Sequence, residues 1–384
     1  MKEMMKQKRN IWLSACLLLA FACLATQCRK APGNQTGPEK NFQYKITGTL
    51  PDSLNGAVVY LRALRVFDRI GVDTTTVRDG QFTFEGTYEA PAVGSLRFER
   101  DGRFFDEVRF VLESAPVEFT FDGQAFHVTG GRRTMAMREC EALDEHNDSV
   151  WRSYGGSRKL SQEMNDEATS ENRKAEIQAL MDKIRNDYTE AKRDFIYRNA
   201  DNVAGAYAYL LHSGMFSTEE KEALESTAGE EFLSDKGVKR VIASRNGEIG
   251  RKYTDFAIED SAGNSYMLSD FVGKDKYVLV EFWASYCEGC RMDIPKLKEV
   301  YAKYKDRGVE FMSVTVDYKR EAWLRAMKEE DMPWPQYHDL NDACGELYGR
   351  ISVPFSMLIS PDGTIVETEL RKLNVEEKLQ KFLN

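Results

Sequence analysis

The chain has 384 residues, of which 42% are hydrophobic and 30% charged, and its net charge at pH 7 is −9. That length exceeds one typical folding unit and implies about two or three domains. The acidic balance excludes a broadly basic, nucleic-acid-binding surface.

At the N-terminus, Lys2, Lys6, Lys8 and Arg9 precede an apolar run from Ile11 to Ala25. A basic start and an apolar stretch of this length make an export signal, short for a membrane-spanning helix. Residues 1–28 are read as a signal peptide with two lipoprotein readings open. Cleavage after Ala20-Phe21-Ala22 leaves a lipidated Cys23, and cleavage after Ala25-Thr26-Gln27 leaves Cys28; simple secretion is the third possibility. Each places the protein in the periplasm or cell envelope, where disulfides persist. Residues 29–41 contain Pro, Gly and Asn without apolar periodicity and read as a tether.

Residues 42–131 have a β texture. Short alternating runs such as Tyr44-Lys45-Ile46-Thr47, Gln81-Phe82-Thr83-Phe84 and Val117-Glu118-Phe119-Thr120-Phe121 are split by turn signals, among them Asn55-Gly56 and Asp79-Gly80. An antiparallel β-sandwich-like domain is expected. His127 is isolated there and carries no catalytic pattern. Residues 132–243 change to helix: Ile177, Leu180, Met181, Ile184, Tyr188, Ala191 and Phe195 recur at helical spacing, and Ser217-Thr218-Glu219-Glu220 reads as a capping box. A spacer is the default reading of this charged amphipathic segment. Cys140 reads as a buried or idle thiol.

From residue 244 onward, strands and helices alternate. Val278 to Phe282 is a buried strand, apolar apart from Glu281, and it runs through a short turn into a helix carrying Ile294, Leu297, Val300, Tyr301 and Tyr304. Cys287 and Cys290 fall at the start of that helix. Unpaired N–H groups and the positive dipole end favour thiolate there, giving one exposed nucleophile, Cys287, and a partner one turn on. Only Cys140 and Cys344 accompany this pair in the folded body, a redox-site complement rather than a disulfide framework. A zinc half-site is the competing reading, with His338 and Cys344 as the remaining ligands on paper.

Phe282-Trp283-Ala284-Ser285-Tyr286-Cys287-Glu288-Gly289-Cys290 resembles the F-W-A-x-W/Y-C-x-x-C pattern of the TlpA/ResA-like thiol–disulfide oxidoreductases of the thioredoxin superfamily, and the likeness runs from about Tyr253 to the C-terminus. The β-stretch looks like the N-terminal domain of unknown function found in Gram-negative envelope members. The resemblance implies a multidomain chain with a C-terminal α/β thioredoxin-like fold over 244–384, catalysing disulfide exchange without cofactor or metal. It implies a reductase with protein substrates, recharged by a membrane electron donor of the CcdA or DsbD type. Cytochrome c maturation or disulfide repair is the implied downstream role.

Cys287 matches the attacking thiol and Cys290 the resolving one. Glu281 matches the buried acid that accepts or returns a proton; the alternative is a carboxylate on a polar edge. Pro354, after Val353, matches the cis-proline facing the motif, with the Val353 backbone left to pair with substrate; the alternative is a trans proline at a strand start. Trp283 and Tyr286 are assigned to substrate binding, Trp283 packing under the motif and Tyr286 at its rim. Asp293 matches an acidic position near the site, or else is a solvated first-turn acid. Glu288-Gly289 departs from the Gly-Pro of thioredoxins, so the relatives' potential does not transfer. Two other classes stay open. A thiol peroxidase would carry Thr or Ser where Ala284 stands, and a non-catalytic binding protein would have an inert cysteine pair.

Overall fold

Alternation builds the first layer. In the computed structural model, which describes residues 41–65, 68–350, 352–371 and 374–383, strand β1 (Phe42–Thr49) turns Phe42, Tyr44 and Ile46 inward and the residues between them outward. The signal, lipidation and tether expectations lie outside the described residues. Strands β2 (Val58–Arg65), β3 (Asp68–Thr76), β4 (Gln81–Tyr88), β5 (Ala92–Arg100), β6 (Arg103–Leu112), β7 (Val117–Phe121) and β8 (Phe126–Thr129) follow. They form two four-stranded sheets, β4-β1-β7-β8 and β3-β2-β5-β6. A phenylalanine-rich core joins the sheets, with Phe98 stacked on Phe126 at 4.4 Å between ring centroids. Asp79 and Gly80 both take positive φ, at 50° and 67°, the geometry of a two-residue hairpin turn. One pairing departs from the antiparallel expectation: β1 and β7 run parallel. Short turns enforce antiparallel pairing only between successive strands, and between these two the chain visits the other sheet. His127 sits at the surface, its Nε2 2.7 Å from Asp122 Oδ2, and joins no catalytic cluster among the described residues.

The helical segment comprises α1 (Arg132–Ser153), α2 (Ser157–Asn165), α3 (Glu171–Arg198), α4 (Val203–His212), α5 (Thr218–Thr227), α6 (Glu230–Ser234) and α7 (Lys236–Ser244). It does more than space two domains. Val93 of β5 and Val111 of β6 pack into one cluster with Met137, Phe195, Ala204, Ala208, Tyr209 and Phe232, so the helices cover the outer face of the second sheet. Thr134 locks α1 to that sheet, exchanging hydrogen bonds with the Val111 backbone at 3.2 Å in each direction. Ser217 and Glu220 form the capping box at the start of α5.

The last layer contains β9 (Ala257–Asp260), β10 (Ser265–Met267), β11 (Tyr277–Trp283), α8 (Glu288–Tyr304), β12 (Val309–Thr315), α9 (Arg320–Glu330), β13 (Gln336–Asp339), α10 (Ala343–Glu346), β14 (Phe355–Ile359), β15 (Ile365–Thr368) and α11 (Asn374–Gln380). Its mixed sheet has the order β10-β9-β13-β12-β11-β14-β15, with β11 parallel to β12 and antiparallel to β14. Alternate residues of β11 feed two cores: Val278, Val280 and Phe282 on one face, Leu279 and Trp283 on the face covered by α8. Glu281 shares the second face by the same period of two. Gly349 fixes the helical layer to this domain: its φ is +59°, and a Cβ there would lie 2.0 Å from the Arg240 carbonyl of α7. Asn246 Nδ2 adds a hydrogen bond to the Leu347 carbonyl at 2.8 Å.

Candidate active site

β11 ends in a turn held from below by Asp317, which is buried. Asp317 accepts hydrogen bonds from Ser285 N (2.8 Å), Ser285 Oγ (2.6 Å) and Thr315 Oγ1 (2.6 Å). The turn places Cys287 at the N-cap of α8, where its sulfur accepts a hydrogen bond from Cys290 N at 3.1 Å. A sulfur held by a helix-terminal N–H is a sulfur whose anionic form is favoured. Cys287 and Cys290 are joined as a disulfide, with Cα atoms 5.3 Å apart. Cys287 is partly exposed and Cys290 is fully buried, so an incoming sulfur reaches only the first.

The Val353–Pro354 peptide is cis, and the Val353 carbonyl oxygen stands 3.5 Å from Cys287 Sγ. An open cleft of about 390 Å³ beside them is lined by Tyr286, Tyr318, Cys344, Arg350 and, from α7, Arg240. Tyr286 is 67% exposed on its rim. Trp283 is 1% exposed and belongs to the core under α8, so a substrate cannot touch it, and its place in the substrate-binding set is corrected. The indole ends a strand buried on both faces, which is why it points inward.

Glu281 is buried and accepts a hydrogen bond from Ser313 Oγ at 2.9 Å, and Trp334 Nε1 donates to that same hydroxyl at 2.8 Å. Burial pushes the Glu281 carboxyl up to about 7; the Asp293 charge pushes the same way, while the Ser313 hydrogen bond and the Arg371 charge oppose them. The polar-edge reading of Glu281 therefore fails. So does the solvated reading of Asp293, which is buried and accepts from Arg371 Nε at 2.9 Å. Cys344 is buried near the cleft, and desolvation holds its thiol up at about 12. His338 gives its Nε2 to the Asp317 carbonyl at 2.7 Å and stacks on Trp323. Among the described residues, no group of three or more His, Cys, Asp or Glu side chains is placed to hold a metal ion.

The structure thus brings Cys287, Val353, Pro354 and Tyr286 together at the surface, with Cys290, Glu281 and Asp293 inside. Sequence reasoning missed Asp317, Arg371 and Arg240. An acid directly after a buried strand was a signal for Asp317; the two arginines carry none, because their partners are far away in the chain.

A mixed sheet flanked by helices, with a Cys-x-x-Cys at a helix N-terminus opposite a cis-proline, defines a thioredoxin-fold redox protein. Residues 249–368 match the AhpC/TSA family, and residues 44–135 match a domain of unknown function, DUF4369. The chain is similar to the thiol-disulfide oxidoreductase ResA of Oceanobacillus iheyensis, 31% identical over 140 residues that span 35% of this chain and 71% of the relative. It is likewise similar to ResA of Bacillus subtilis, at 30% identity over 35% of this chain and 74% of that one. The thioredoxin domain of a thiol-disulfide oxidoreductase from Bacteroides vulgatus is 34% identical, with 36% of this chain and 99% of that chain covered and a TM-score of 0.34. The chain belongs to the ResA-like thiol–disulfide oxidoreductases of the thioredoxin superfamily, and its chemistry is disulfide exchange through Cys287 and Cys290.

Proposed function

We propose that this protein is an exported reductase of protein disulfides, anchored in the cell envelope through a lipidated N-terminal cysteine. The observation that carries the reaction is the half-exposed Cys287 at a helix N-terminus, backed by buried Cys290 and facing the Val353 carbonyl. In the reduced protein, the Cys287 thiolate attacks a substrate disulfide. A Cys287–substrate S–S bond forms, the substrate S–S bond breaks, and one substrate sulfur leaves as thiolate. Cys290 then gives its proton to Glu281 and attacks the Cys287 sulfur, releasing the second substrate sulfur. The substrate gains two electrons, and the pair ends as the disulfide present here. Val353 pairs with the extended substrate backbone, Pro354 shapes that edge, and Tyr286 flanks it. Asp293 supports the proton transfer.

A membrane donor of the CcdA or DsbD type returns the electrons, and apo-cytochrome c or misoxidised envelope proteins are the clients; both follow from the family resemblance. The export signal of residues 1–28 supports the location. No helix among the described residues is long and apolar enough to cross a membrane. Peroxide reduction is a weaker reading, since Ala284 supplies no hydroxyl three residues before Cys287.

The test is a redox titration with alkylation mapping of each cysteine. Reversible cycling of Cys287 and Cys290 with a midpoint near or below about −250 mV supports a reductase, and one near about −120 mV makes it an oxidant. A pair that never cycles refutes the enzymatic role.

A further inference from the structure

Three charged side chains meet under the Cys-x-x-Cys helix, and only two of them have a role so far. Asp293 lies one turn beyond Cys290 on the same face of α8. One of its carboxylate oxygens takes Arg371 Nε at 2.9 Å; the other is buried without a hydrogen-bond partner. Glu281 reaches the same layer from β11. The groups that face it are the Ser313 hydroxyl from β12, the Asp293 carboxylate from α8 and the Arg371 guanidinium from the segment after β15. Among these the sole cation is Arg371.

Arg371 is held at both ends. Leu370 N donates to Ser356 Oγ, and Arg371 N donates to Asn374 Oδ1, each at 2.7 Å. Its Nη2 stands 3.5 Å from where a Cβ on Gly289 would lie, inside the motif itself. The side chain is 33% exposed, against 2% for its partner Asp293. The guanidinium therefore runs from the motif turn at the surface down to a buried carboxylate. Two carboxyls and one cation in a poorly solvated layer cannot all be charged at equal cost. The cation is bonded to one carboxyl only, and the other, Glu281, is left without a cationic hydrogen-bond partner among the described residues.

We propose that Arg371 is a positioning residue of the redox site: by holding Asp293 as its ion-pair partner, it leaves Glu281 as the carboxyl that exchanges the Cys290 proton. This rests on the reading of Glu281 as proton acceptor. In the resolving step the Cys290 S–H proton passes to the Glu281 carboxylate. The Cys290 sulfur bonds to the Cys287 sulfur, the Cys287–substrate bond breaks, and its electron pair leaves on the substrate sulfur. Arg371 takes no part in bond making. It fixes which carboxyl is free to act, and the same arrangement run backward serves re-reduction.

The experiment is single-turnover reduction of oxidised insulin by the reduced full-length protein, followed by tryptophan fluorescence from pH 5 to 9. Wild type is compared with Arg371→Gln, Arg371→Lys, Asp293→Asn, Arg371→Gln/Asp293→Asn and Glu281→Gln. In R371Q the two carboxyls face each other without a cation, and the inflection moves up by about one pH unit, the low end for a nearby opposite charge. R371K keeps the inflection near its wild-type position. D293N removes the like charge and frees the guanidinium, moving the inflection down, and the double variant returns toward wild type. The proposal is overturned if R371Q and D293N leave the inflection in place while E281Q abolishes it. An inflection that survives E281Q sinks the proton-acceptor reading itself, and the role of Arg371 with it. Should R371Q fail to fold, D293N compared with the double variant decides the matter: a higher inflection in the double variant is expected, and equal inflections overturn the proposal.

Discussion

Replacing Glu281 by Gln measures the cost of the buried acid directly. In the unfolded chain this side chain titrates near the ordinary value of 4.5, and in the folded protein near about 7. The folded state thus keeps a proton that the unfolded chain has already released. Stability from this group is full below the unfolded value, falls as pH rises between the two values, and is flat above about 7. At 1.36 kcal/mol per unit, the total loss is about 3 kcal/mol by pH 8. E281Q cannot ionise and keeps an oxygen to accept from Ser313. The variant's stability relative to wild type is therefore expected to climb by about 3 kcal/mol between pH 4.5 and 8. A constant offset from altered packing drops out of that slope. Urea titration of the oxidised protein, read by tryptophan fluorescence, is suited to it, because Trp283, Trp323 and Trp334 all sit in the C-terminal domain. Parallel stability profiles for wild type and E281Q would refute the claim that burial holds this proton.

Two further outcomes are expected. Asp317→Ala strips the acceptor from Ser285 N, Ser285 Oγ and Thr315 Oγ1; it should lower the urea midpoint by the equivalent of about 2–4 kcal/mol and slow disulfide exchange, since the turn presenting Cys287 loses its brace. An unchanged midpoint and rate would dismiss Asp317 as a support. In the reduced native protein at pH 8, iodoacetamide should modify Cys287 and leave Cys344 intact, because burial holds the Cys344 thiol up at about 12. Peptide mapping decides this, and labelling of Cys344 at a rate near that of Cys287 would show that its shelter is only apparent.

What could be read from the chain was what short-range chemistry encodes. The buried strand ending at Trp283, the motif, the helix after it and the alternating strands of the first domain all declare themselves within a dozen residues. Pairing over distance does not. Nothing near Ile46 says that Val117 will lie beside it in parallel. Strand β13 carries no strand signature in the sequence, because Gln336, His338 and Asp339 are polar and Pro333 and Pro335 stand just before it. Asp293 shows the limit most clearly. A first-turn acid is ordinarily wet, and its neighbours in sequence give no reason to bury it. Its partner is Arg371, 78 residues away, so its burial is a property of the folded domain. The burial of Glu281 was legible because four of the five residues from Val278 to Phe282 are apolar, while its Ser313 partner was not.

Gly349 bears on the shape of the redox groove. Arg240 leans into the redox cleft, and Gly349 lets the backbone of α7 press against the turn after α10, a few residues before Pro354. One bank of the groove beside Cys287 is therefore borrowed from the helical layer, outside the thioredoxin-like domain. A thioredoxin-like domain cut free of that layer would leave the bank open. Client preference measured on that excised domain then describes a different doorway from the one the full chain presents.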